Sequence, residues 1–231
     1  MVIELVKKIL SQNNNEIQLF KAESHLRRGS FKIPSYQKDT KIILFIGVFH
    51  GDEPEGEPLI LKLMNEVDKD PELIKNNQIL FIPVLNPDGK AFNTRGNANG
   101  IDLNRNFPTK NWELSAIKDE FYSGESFASE VETKFLIEIL DEFRPDAIIT
   151  LHTPYRIVNF DGPAKELAHE ISKFNDYPVQ ENIGYSTPGS FGTYAGIERN
   201  IPVITLELPD KTNIDTLWEE NKEAFIYIVS L

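Results

Sequence analysis

His50 and Glu53 stand three residues apart in the stretch "FIGVFHGDEPEGE", directly after an apolar run, with Gly51 and Asp52 between them. An imidazole and a carboxylate presented on one tight turn are two ligands of the kind Zn2+ takes. A second histidine, His152, closes an apolar run at 146–151, and Glu207 lies near the end of another at 202–208. The chain has no cysteine, so thiolate ligation and disulfides are excluded. A catalytic zinc commonly takes three protein ligands and keeps a further position open, and His50, Glu53 and His152 supply a His2Glu set. Glu207 then remains as an unligated carboxylate, suited to take a proton from an attacking water and pass it to a leaving amine. Taken singly, each of these residues is more often structural: a core histidine, or a buried acid paired with arginine. Their joint occurrence is what points to a site.

The stretch "NPDGKAFNTRGNANGIDLNRNFP" (86–108) adds two arginines, Arg95 and Arg105. Asn86-Pro87-Asp88-Gly89 is a strong turn signal, and a turn-rich connector accounts for the glycines without accounting for the arginines. A guanidinium binds a carboxylate bidentately or holds a developing oxyanion. Two of them in a loop beside a metal suggest an anionic substrate group. His25 and His169 read instead as solvated surface residues, and Glu55 and Glu57 as acidic helix-start residues.

These residues need a scaffold. Four runs, 41–49, 78–85, 146–151 and 202–208, are short, apolar and rich in β-branched residues, as strands buried on both faces are. Amphipathic patterns lie between them: Ile60, Leu63, Met64 and Val67, then Phe135, Leu136, Ile139, Leu140 and Phe143, then Ala164, Leu167, Ala168 and Ile171. A fourth comprises Ile214, Leu217, Trp218 and Phe225. Ser129 and Glu132 suggest a capping box for the second of these helices, and Pro145 ends it. The alternation predicts an α/β protein, a mixed, mostly parallel twisted sheet with helices on both faces. In such sheets, sites form beyond the carboxyl ends of the strands, where His50, Asn86, His152 and Glu207 fall. The segment 86–128 reads as a long functional loop. "NEIQLFKAE" could be an edge strand, and the rest of the first 40 residues shows no clear period.

With 231 residues and no linker-like tract, a single domain over 1–231 is expected. Lys plus Arg number 24 and Asp plus Glu 36, a formal net charge of −12, which argues against nucleic acid or an anionic membrane as partner. No apolar run approaches the length of a membrane-spanning helix, and the opening residues show no signal-peptide pattern, so a cytoplasmic location is the expectation. Oligomeric state cannot be read from the sequence.

The pieces "HGDE", "NPDG", "RGNANGIDLNRNFP", "LHTP", "GYSTPGSFGTYAG" and "TLELP" occur in the order of the zinc carboxypeptidase family, which the chain resembles from about residue 43 to 209. The short loops are most similar to the bacterial murein peptide amidase branch of it. That resemblance implies the zinc-carboxypeptidase fold and one Zn2+ per chain on His50, Glu53 and His152. It also implies Glu207 as general base and then acid, and Arg95 as the group that polarises the scissile carbonyl. Asn104 and Arg105 would grip a substrate carboxylate, Tyr185 would cap the substrate, and Phe191 would shape the side-chain pocket. The implied substrate is a peptide or muropeptide with a free carboxylate, cut at the γ-D-Glu–diaminopimelate bond. Partners for the distal charged end of diaminopimelate are not evident, with Arg156 and Glu198 as weak candidates. Two other readings stand beside this one: a metal-dependent N-acyl-amino-acid deacylase of the aspartoacylase and succinylglutamate desuccinylase kind, and a non-catalytic binding protein that kept the shell.

Overall fold

The computed structural model describes residues 18–23, 28–33, 41–75, 77–115 and 119–231. His25 and residues 15–17 of the anticipated edge strand lie outside them. The strands are β1 (Gln18–Glu23), β2 (Arg28–Ile33), β3 (Ile42–Ile46), β4 (Gln78–Ile82), β5 (Ala147–His152), β6 (Tyr155–Asp161), β7 (Val179–Gln180) and β8 (Val203–Pro209). They form one eight-stranded sheet in the order β1-β2-β4-β3-β5-β8-β6-β7. The centre, β4-β3-β5-β8, is parallel throughout, whereas β1, β2 and β6 pair antiparallel with their neighbours on the central side. Gln18–Glu23 does form an edge strand.

The apolar runs become strands because both of their faces are covered: every residue of β3, β4 and β5 is buried. One face carries helices α1 (Gly56–Lys69), α4 (Lys165–Asn175) and α5 (Ile214–Val229), whose apolar stripes meet Ile43, Phe45, Ile149 and Ile204 in one core. The other face carries α3 (Val131–Phe143) and aromatic residues from the long connections, which meet Leu44, Ile46, Leu80 and Ile148 in a second. The anticipated helical stripes at Ile60/Leu63, Phe135/Leu136/Ile139/Leu140, Ala168/Ile171 and Leu217/Trp218/Phe225 all face a core.

Three expectations are corrected. The stretch 86–128 is not continuous loop, because it contains α2 (Pro87–Phe92) and a 3-10 turn at Leu103–Arg105. The Asn86 side chain accepts from Gly89 N and caps α2, with Pro87 in its first position. The capping box does not form: α3 starts after Glu130, and the Ser129 hydroxyl bonds Glu130 and Asn106 instead. Strand β6 was not anticipated. Its exposed first two residues and its Arg156 and Asn159 break the apolar run that marked the others.

β3 ends sharply. Val48 takes a left-handed φ of 52°, costly for a β-branched residue, and turns the chain toward His50. Gly51 then lies so close to α2 that a Cβ there would sit 1.9 Å from the Gly89 carbonyl carbon. The "HGDE" turn needs glycine because backbone occupies the place of a side chain.

Candidate active site

His50 and Glu53 come from the turn after β3, and His152 is the last residue of β5. All three are buried, and one ligand atom from each lies within 4.8 Å of the others. Glu53 bridges the histidines: His50 Nδ1 lies 2.8 Å from its Oε1 and His152 Nδ1 lies 3.0 Å from its Oε2. Phe49 stacks on the His152 ring at 5.3 Å between centroids and packs on Phe191, so the histidine is backed by aromatic core. Two imidazole nitrogens and a carboxylate converging in a buried place, without sulfur, fit zinc.

The far nitrogen of His50 meets Asp102: Nε2 lies 3.1 Å from Oδ1. Asp102 is fully buried and binds Arg95 Nε through its other oxygen at 3.0 Å. A carboxylate behind a ligating histidine fixes its orientation and tautomer and raises its basicity. Burial opposes charge on His50, yet Glu53 and Asp102 outweigh it and raise its pKa to about 9. Burial likewise opposes ionisation of Glu53, which the two histidines hold well below the usual carboxylate range. Asp102 is depressed against its burial by His50, Arg95 and Arg105. Burial lowers His152. The assembly is buried and its opposite charges offset one another, a setting in which a divalent cation can replace bound protons.

Asn104 and Arg105 follow Asp102 on the 3-10 turn. Asn104 Oδ1 accepts from Phe191 N at 2.8 Å, joining this turn to the segment opposite. Arg105 is buried and donates to the Asn104 carbonyl at 2.8 Å. Arg95 reaches Glu53 Oε1 at 3.3 Å as well as Asp102. Asn86 is a structural clamp, its amide donating to the Phe49 and Arg95 carbonyls at 3.2 and 3.3 Å.

Glu207 sits directly across from His152 in the β5–β8 register. It is 6% exposed, and its Oε2 is buried with no hydrogen-bond partner among the described residues. Burial, and then the Glu53 charge, push its pKa up to about 8. A buried carboxylate with an unpartnered oxygen is a group built to exchange a proton. With the metal triad, Arg95, Asn104, Arg105, Tyr185 and Phe191, it lines one cavity of about 220 Å³. The nine residues given a metal, catalytic or substrate role by the resemblance thus meet at that cavity. Tyr185 is half-exposed there, and burial followed by the nearby Tyr155 raises the pKa of its phenol.

Three contributors were not anticipated. Asp102 was hidden inside "DLNRN", where its spacing before Arg105 carries no separate signal. Phe121, from the end of the long connection, lies over both Arg95 and Arg105. Asp161, at the end of the unanticipated β6, lines the cavity, and burial alone raises its pKa to about 6. Gly192 makes room for it, since a Cβ there would sit 2.1 Å from Asp161 Oδ2. The weak candidates for a charged substrate end are elsewhere. Arg156 lies over the Tyr177 ring at 4.5 Å, and exposed Glu198 accepts from Lys110 N.

Known proteins match this arrangement. The zinc carboxypeptidase family model matches residues 4–165. Murein peptide amidase A of Vibrio campbellii is 35% identical over 198 residues, covering 80% of this chain and 76% of the relative. The Escherichia coli K12 protein of the same name is 30% identical over 211 residues, covering 87% of this chain and 81% of its own. Among solved structures, the murein-tripeptide amidase of Escherichia coli O157 superposes with a TM-score of 0.72 at 23% identity, covering 96% of this chain and 94% of that one. The family match, the extent of these relatives and a buried His2Glu centre agree: this chain belongs to the zinc carboxypeptidase family, and it is a hydrolase.

Proposed function

We propose that this hydrolase cleaves the amide between a γ-D-glutamyl residue and diaminopimelate in murein peptides, as one domain over 1–231 working in cytoplasmic cell-wall recycling. The carrying observation is the charge pattern of the cavity, where Arg95 and Arg105 share the wall with Asp161. Diaminopimelate has a carboxylate beside the scissile amide and, at its far end, an ammonium together with a second carboxylate, so it offers a partner to each sign, the ammonium being the one for Asp161. Among the described residues Asp161 has no cationic partner of its own, so a substrate ammonium would relieve its burial. Two amidases with this substrate class in their names are at least 30% identical to the chain.

The residues divide the work as follows. His50, Glu53 and His152 would hold zinc, which when bound supplies a Lewis acid that polarises a carbonyl and acidifies water. Asn104 and Arg105 anchor the leaving residue's carboxylate, setting the amide beside Glu207. Glu207 takes a proton from the attacking water onto its free carboxylate oxygen and returns it to the departing amine. Arg95, already oriented by Asp102 and Glu53, donates to the carbonyl oxygen as negative charge develops. Tyr185, half-exposed at the cavity, closes over bound substrate.

The test is release of diaminopimelate from L-Ala-γ-D-Glu-diaminopimelate, with chelator and with zinc restored. Cleavage at that bond, lost to chelator and regained with zinc, is expected. N-succinylglutamate lacks the distal ammonium and should stay intact; preference for it over the tripeptide would sink the murein reading.

A further inference from the structure

Phe121 is an apolar side chain left 39% exposed while the two arginines beneath it are largely buried. Its ring centroid is 5.0 Å from Arg95 Cζ and 5.6 Å from Arg105 Cζ, so one ring serves two guanidiniums. The segment is pinned in place: Phe121 N donates to Asp119 Oδ1 at 2.9 Å, and the Tyr122 carbonyl accepts from Asp102 N at 2.9 Å. The backbone that carries the ring is therefore tied to the residue whose carboxylate holds Arg95 Nε and His50.

Arg95 and Arg105 carry like charges at one cavity; Arg95 is paired with Asp102 and Glu53, whereas among the described residues the Arg105 side chain donates only to the Asn104 carbonyl. The negative face of an aromatic ring offsets repulsion between like charges without forming a salt bridge that a substrate carboxylate must break. A carboxylate partner on Arg105 like those Arg95 has in Asp102 and Glu53 would compete with substrate, whereas a ring occupies the guanidinium face and leaves the remaining N–H edge free.

We propose that Phe121 is a positioning residue, holding Arg95 and Arg105 through cation–π contact so that their edges stay presented to an anionic substrate group. The inference rests on the substrate roles proposed above for the two arginines. Aromatic replacement should preserve the effect and aliphatic replacement should not. Phe121→Tyr and Phe121→Trp should rescue kcat/KM on the tripeptide, while Phe121→Leu and Phe121→Ala lose about threefold to thirtyfold. The loss should divide, with KM rising through Arg105 and kcat falling through Arg95. Phe121→Leu equal to the starting protein would overturn the proposal, because packing alone would then suffice.

A readout independent of turnover is the side-chain Nε–Hε resonances of Arg95 and Arg105 in the zinc-loaded protein. Ring-current shifts on both, lost in Phe121→Leu and kept in Phe121→Tyr, are expected; unshifted signals in the starting protein would overturn the arrangement. Should that protein leave the tripeptide intact, the substrate reading falls, and the arginine resonances decide this proposal on their own.

Discussion

Glu207 and Asp161 are both acids raised by burial, yet they ask for different experiments. Glu207→Gln keeps the shape and removes the proton acceptor. Zinc content should stay at about one per chain while kcat falls by about 10²-fold or more. Retained turnover would move the base elsewhere. For Asp161, the pKa rises from 3.8 to about 6, so between those values the folded chain holds a proton that the unfolded chain has released. Its contribution to stability is therefore greatest below about pH 4 and is lost as the pH climbs through about 6. Asp161→Asn should gain stability over the starting protein progressively across that window, measured by urea unfolding at a series of pH values. A difference that stays flat with pH would show that Asp161 is not buried in its charged form. The same variant should lose about 30-fold or more in kcat/KM for a substrate with a distal ammonium, and far less for one without it. Residue identity made the triad, Glu207 and the arginines legible, because two histidines and two acids fell at strand ends. Asp161 was illegible: one acid among 36, on a strand whose mixed pattern hid it.

At the scale of elements, periodicity was readable wherever burial was two-sided or a helix showed one apolar stripe. β3, β4, β5, β8 and the four long helices follow from it. β6 was not readable because it begins at the cavity mouth with two exposed residues, so the alternation that reveals a strand starts late. The capping box failed because Asn106, distant in sequence, competes for the Ser129 hydroxyl. What the elements do for the site is clearest at Gly51, where α2 fills the space a side chain would need. Gly51→Ala should push "HGDE" away from α2 and separate His50 from His152. Zinc affinity should drop by about tenfold or more, with a loss of stability in the range of other strained core changes, about 2 kcal/mol or more. Competition with a zinc-binding dye reports the first, and urea unfolding the second. Unchanged affinity would mean that the turn is positioned by something other than this contact.

Across the whole molecule, zinc joins the turn after β3 to the end of β5, beyond the last paired residues of these two central strands. His50 and Glu53 leave β3, His152 ends β5, and Glu207 on β8 faces the same place across the register. A ligand that binds only the folded chain stabilises it by mass action, about 4 kcal/mol when zinc is a thousandfold above its dissociation constant. For a chain of this size each kcal/mol moves Tm by roughly 2–4 °C, so saturating zinc should raise Tm by about 8–16 °C over chelated protein. The increment should rise with free zinc and shrink sharply in His152→Ala, which removes the ligand that β5 supplies. Glu207→Gln should retain most of it, since Glu207 is assigned no bond to the metal. This comparison separates ligation from general electrostatics. A chain with formal charge −12 gains from any cation that screens it, and such screening would act alike on every variant and be reproduced by magnesium. A zinc-specific increment that disappears with His152 and survives the loss of Glu207 assigns the metal to the three residues that leave β3 and β5. An increment magnesium reproduces would assign it to the surface charge instead.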